Sequence, residues 1–199
     1  MATTASAYGM VPINLIGGQV YAGSTRQLPI ASGYATSIFF GDIVKCDSDG
    51  VITKDTGTST LTPIGIFMGV NYVDPTYGFT NRQMWTASTT TVNSAPAMAL
   101  ICDDPDALFR IQGTAAMTQT MLFLNAGVVQ GAGVAASGNS GVTLDVSTAA
   151  TTDSLPLRII GWVANSDNAT NSVPPTDTYP DVIVKWNFGM HAYERALGV

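Results

Sequence analysis

His191 is the only histidine in the chain, so any Ser-His-Asp or Cys-His chemistry would have to use it. Gly138-Asn139-Ser140-Gly141 is faintly similar to the serine segment of chymotrypsin-like proteases. In those proteases the histidine precedes the serine; here it follows, beside Tyr193 and Glu194. The residues read better as a glycine turn and a tail histidine. Cys46 and Cys102 lie in apolar, strand-like contexts with nothing nearby in sequence to lower a thiol pKa. They read as small buried hydrophobes, with a disulfide between two strands left open.

Oxygen ligands are offered twice. Asp103, Asp104 and Asp106 form an acidic cluster, and a hard cation such as calcium wants several oxygens. An Asp-Asp-Pro-Asp run is also an ordinary turn, which is the preferred reading. Asp47-Ser48-Asp49-Gly50 is similar to the start of a calcium loop but lacks the closing glutamate, and a hairpin turn accounts for it. Glu194 is the sole glutamate, so a carboxylate pair for glycoside cleavage has no evident partner. Asn168-Ala169-Thr170 matches a glycosylation sequon and is read as a chance match, since no secretory leader is expected. No glycine-rich loop carries a phosphate-binding lysine or a dinucleotide fingerprint. The chain therefore reads as a non-enzyme, with no catalytic, cofactor-binding or metal-binding residue assigned.

The elements that carry these residues are β-rich. Thr36–Phe40 reads as a strand, and Asp42–Cys46 and Val51–Lys54 flank an Asp49-Gly50 turn as a hairpin. After Pro63, residues Ile64, Ile66, Met68, Val70 and Tyr72 alternate on one face, with Gly65 and Gly69 marking a bend. Thr76–Arg82 reads as a loop. Further strands are expected at 83–86, 97–102, 107–112, 142–145, 157–163 and 181–188. In the last of these, Val182, Val184, Trp186 and Phe188 share a face. Ala115–Asn125 is the one candidate for a short helix, capped by Thr114 and stopped by Gly127. Residues 1–33, broken by Pro12, Gly17-Gly18, Gly23 and Pro29, read as an extended apolar arm laid against its own domain, a neighbour or a scaffold. The expected fold is mainly β: a single β-barrel or β-sandwich domain over 34–199, an extended N-terminal arm over 1–33, and at most one short helix.

Composition narrows the partners. Only 11% of the 199 residues are charged against 46% hydrophobic, where roughly 25% charged is ordinary. Mean hydropathy is +0.23. A surface so poor in charge is expected to be covered by other chains. The net charge is −6 with no run of Lys or Arg, which argues against nucleic acid. Neither a leader-like start nor a membrane-length apolar run is present, so synthesis in the cytoplasm is expected. Two aromatic groups, Tyr72, Tyr77, Phe79 and Trp85, then Trp162, Tyr179, Trp186, Phe188 and Tyr193, would suit either a core, an interface or sugar stacking. Core or interface is preferred.

Four segments then carry a resemblance. They are Gly41–Lys45 with Asp49-Gly50 and Ile52–Lys54; Pro63–Val70; Asp103–Phe109; and Leu155–Gly161 followed by Asp181–Lys185. In this order they resemble virion structural proteins of marine and cyanobacterial tailed phages, podovirus-like, of the capsid decoration or cement type, over about residues 34 to 193. The resemblance implies a structural subunit on the capsid exterior, made in the host cytoplasm. It implies that the chain binds the major capsid protein and assembles as a homo-oligomer, dimer or trimer, without nucleic acid or membrane. It implies no catalytic residues. A head-fibre, tail-tube or carbohydrate-binding adhesion subunit is the alternative. Under this reading the arm and the segment Trp186–Val199 carry contacts.

Overall fold

A computed structural model describes residues 5–165 and 170–187. His191, Tyr193, Glu194, Phe188 and the Asn168-Ala169 half of the sequon lie outside the described residues, as does most of Trp186–Val199. The strands are β1 (Val11–Leu15), β2 (Arg26–Ile30), β3 (Ile43–Cys46), β4 (Ile52–Lys54), β5 (Gly65–Asp74), β6 (Gly78–Arg82), β7 (Ala97–Cys102), β8 (Ala107–Gln112), β9 (Asn125–Val129), β10 (Thr143–Ala150), β11 (Leu157–Trp162) and β12 (Asp181–Trp186). Sheet I has the order β1-β8-β12-β11-β9-β10; sheet II has the order β2-β7-β5-β3-β4, with β6 added beside β5. The fold is mainly β and sandwich-like, with two antiparallel sheets that do not close into a barrel.

Two cores follow from strand alternation. Phe109, Ile111, Leu157, Ile159, Val182 and Val184 point inward from sheet I and meet Ile43, Ile66 and Cys102 of sheet II. The second core lies on the opposite face of sheet II, where Val44, Phe67, Val70, Tyr72, Ala99 and Ile101 pack under Ile38 and Trp85. The expected strands at 36–40 and 83–86 shrink to a reciprocal bridge. Ile38 N–H donates to Trp85 O at 3.0 Å, and Trp85 N–H donates to Ile38 O at 2.8 Å. The Trp85 indole N–H donates to Tyr34 O at 3.1 Å, and its ring meets Tyr72 edge-on at 5.8 Å. These two segments form a lid over sheet II rather than strands within it.

The β3–β4 hairpin is as expected, with Gly50 at φ +74° in its turn. Four expectations are corrected. The single-face reading of β5 fails at Gly69, where the register against β7 slips between Phe67 and Gly69 and φ is +147°. That bulge turns the alternation over: Ile66 faces the first core, while Val70 and Tyr72 join Phe67 in the second. The arm is not irregular throughout, because Val11–Leu15 pairs with β8 and Arg26–Ile30 pairs with β7. Pro12 and Pro29 are tolerated because both strands are edges, where one side of the backbone needs no partner. The helix over 115–125 is replaced by one 3₁₀ turn at Gln119–Met121, and Thr114 Oγ1 accepts from Val146 N–H instead of capping. Asn125 and Gly127, read as the end of that helix, instead belong to β9. Finally, Gly78–Arg82, read as loop, is a strand against β5.

Candidate functional site

Residues selected for chemistry are drawn into structural roles. Ser140 is fully buried, and its hydroxyl donates to Asp42 Oδ1 at 2.6 Å while accepting from Val142 N–H at 3.0 Å. Asp42, also fully buried, accepts through Oδ2 from Phe39 N–H at 2.8 Å and from Lys54 Nζ at 2.9 Å. A buried carboxylate holding a serine, an amide and an ammonium is a satisfied ion node. It ties the Gly131–Gly141 loop to the β3–β4 hairpin. Its Ser140 oxygen is closed to solvent and presents no nucleophile to a substrate. Sequence reasoning missed this partnership because the residues are 98 positions apart.

The acidic run behaves as a turn. Asp104 Oδ1 accepts from Asp106 N–H at 2.8 Å, Arg26 Nε donates to Asp103 at 2.6 Å, and Lys185 lies 3.6 Å from Asp106. Among the described residues, no group of three His, Cys, Asp or Glu side chains is arranged to hold a metal. In the turn Asp47-Ser48-Asp49-Gly50, Asp47 Oδ1 accepts from Ser48 N–H at 2.8 Å. Both cysteines are free thiols, one against each core. Burial pushes the Cys102 thiol pKa upward.

A polar recess on sheet I had no signal in the sequence. It is lined by Ser6, Tyr8, Gln112, Asn165, Asp177 and Asp181, among others. Tyr8 O–H donates to Asp181 Oδ1 at 2.6 Å, and the Arg110 guanidinium sits 4.9 Å from the Tyr8 ring centre. Burial, then the Asp181 hydrogen bond, raise the Tyr8 pKa, so the phenol stays neutral. Asn165 Nδ2 donates to Asp177 at 2.8 Å. Tyr8, Asp181, Asn165 and Asp177 are thus partnered within the chain, while Arg110 Nε is buried without a hydrogen-bond partner among the described residues.

The aromatic groups divide. Trp85, Trp162 and Trp186 are core residues, and Tyr72 is buried beside Trp85. Tyr77 and Phe79 are 79% and 75% exposed, and Val73 is 46% exposed. The cause lies in sheet II. Past the Gly69 bulge, the face that packs on the first core continues as Asn71 and Val73, with Phe79 and Asn81 beside them on β6 and Met98 on β7. None of these residues belongs to the shared core, so this half of the sheet overhangs sheet I. A groove of about 470 Å³ runs along it, bounded by Gln27, Val73, Phe79, Val92, Pro96 and Met98. No charged side chain lines it. The groove therefore offers no charged group to an ion or a phosphate.

No family model matches the chain, and no curated protein and no solved structure matches it.

Proposed function

We propose that the chain is a structural virion protein that binds the outer surface of a phage capsid, at the major capsid protein, and stabilises the shell as a decoration or cement subunit. The observation that carries this reading is the bare half of sheet II and the uncharged groove that runs along it. Three large apolar side chains stand in solvent on one hairpin beside a groove without charge. In a chain with 11% charged residues, that feature supports a role fulfilled by covering a neighbour. The net charge of −6 favours the exterior of the shell over the face that meets packaged DNA. The ordered segments that resemble phage structural proteins point the same way.

The contact surface moves relative to the sequence expectation. Trp186 is a core residue packed 6.0 Å from Phe109. Residues 1–30 contribute Met10 and Ile30, both fully buried. Deleting them would remove strands from both sheets, so that deletion would unfold the domain rather than free it from a shell. The β5–β6 hairpin is the better contact. Purified protein mixed with expanded empty capsids should co-sediment at a saturable stoichiometry and raise the melting temperature of the shell. Phe79→Ser should lower occupancy at least tenfold. Absence of co-sedimentation at tens of micromolar overturns the reading. A second reading, a carbohydrate-binding adhesion subunit, draws on Phe79, which lines the groove with the amides of Gln27, Asn71 and Asn93, and on Tyr77, exposed on the same hairpin. Glycan binding without capsid binding would favour it.

A further inference from the structure

We infer that β6 is a dimerisation edge. Two copies of this chain pair their Gly78–Arg82 strands antiparallel about Thr80, joining their second sheets across a two-fold axis. The inference concerns the free protein in solution and does not depend on the capsid reading, so either can fail alone.

The first support is a contrast among edges. Exposed strand edges invite pairing, and folded chains blunt them with proline, charge, shortness or bulges. β1 carries Pro12, and β2 carries Pro29 and Arg26. β4 is three residues long, and the β10 ladder is irregular between Asp145 and Ala150. β6 has five residues, no proline and no bulge against β5, and its only charge is Arg82 at the end. Among the described residues its outer side has no ladder partner.

The second support is the register. Antiparallel pairing about Thr80 sets Thr80 against Thr80, Phe79 against Asn81 and Gly78 against Arg82 of the second copy. Within one copy Gly78 is opposite Asp74, and Val73 is opposite Phe79. Residues in register across a ladder share a face. Arg82 of the second copy would therefore lie over Gly78, which has no side chain to obstruct it, and reach Asp74 on the next strand. Asp74 uses Oδ1 to hold the turn, accepting from Thr76 N–H at 2.8 Å and Tyr77 N–H at 3.0 Å, and makes no ion pair among the described residues. Arg82 makes none either. The two-fold would satisfy both charges twice. On the other face the two Phe79 rings become diagonal neighbours, about 7–8 Å apart and within reach of aromatic contact. A strand edge that is complementary to itself in backbone, charge and apolar surface is what an isologous interface requires.

Sedimentation of the full chain should give a reversible monomer–dimer equilibrium. Arg82→Asp, which sets a second carboxylate beside Asp74, should raise the dissociation constant at least tenfold at low salt while leaving the melting curve of the monomer in place. In a Cys46→Ser background, Thr80→Cys should cross-link on mild oxidation, because facing residues in a ladder have Cα atoms about 4.5–5.5 Å apart. Arg82→Cys should not, since its counterpart would lie two positions beyond Thr80 on each strand. A chain monomeric at several hundred micromolar overturns the inference. So does a dimer unaffected by Arg82→Asp, or one that cross-links through Arg82→Cys but not Thr80→Cys.

Discussion

Two regions of this molecule invert the usual rule of polar outside and apolar inside. At the Asp42–Ser140–Lys54 node, charge is buried, and every donor aimed at the carboxylate comes from the same chain. At the β5–β6 hairpin, Val73, Tyr77 and Phe79 stand in solvent, and nothing described in the chain covers them. The first inversion is offset internally and locks a loop to a hairpin. The second has no compensation among the described residues, and the proposed capsid contact is what would cover it.

The contrast breaks most sharply at Asp42. Asp42→Ala leaves a part-buried ammonium and a buried hydroxyl without their acceptor and should cost about 3 kcal/mol in urea unfolding. A loss below about 1 kcal/mol would mean the node is open to water. Next is the crossing that closes over it. Gly9 and Gly41 have φ of +79° and +86°, and a Cβ on Gly9 would come within 2.6 Å of Ser140 Cβ and 2.8 Å of Gly41 O. Gly9→Ala should destabilise by about 2 kcal/mol or more, measured the same way. Ser140→Ala removes one donor to a still-charged carboxylate and should cost about 1–3 kcal/mol.

Smaller still is the effect of alkali. Burial raises the folded-state pKa of Tyr8, Tyr21 and Cys102 above the ordinary 10.0, 10.0 and 9.0. The folded chain keeps protons that the unfolded chain releases, so this contribution is intact below about pH 9. It declines as pH climbs through 9 and past 10. The urea midpoint should fall across that range and stay flat between about pH 6 and 8 on account of these groups. The smallest effect belongs to the hairpin: Tyr77→Ser and Phe79→Ser should shift stability by about 0.5 kcal/mol or less, because neither ring is buried. A large loss there would place the rings in a core and dissolve the comparison.

Much of the architecture was legible where patterns are local. The apolar runs read as strands at 97–102, 107–112, 157–163 and 181–188 coincide with β7, β8, β11 and β12. Asp49-Gly50 marked the β3–β4 turn, because a glycine at φ +74° is a local requirement. What was not legible depends on contacts distant in sequence. The Gly69 bulge inverts the faces of β5 in response to its partner β7, which a period-two count cannot register. Pro12 and Pro29 read as breaks until their strands are known to be edges. Ala115–Asn125 has helical propensity, but the β9 ladder takes Asn125 and Gly127. At the candidate surface, the exposed aromatics were visible as a group, but their separation was not. Tyr72 goes under the lid and Trp85 is part of it, while Tyr77 and Phe79 remain outside, and the lid is built from residues that looked like strands.

The most direct test of an external partner for the hairpin is amide hydrogen exchange over residues 70–82, in free dilute protein and on saturated capsids. At concentrations where the free chain is monomeric, the outward-facing amides of β6 should exchange rapidly, with marked protection on the particle and the Asp42 node slow in both. Equal exchange at β6 in the two states, with protection elsewhere, would contradict it.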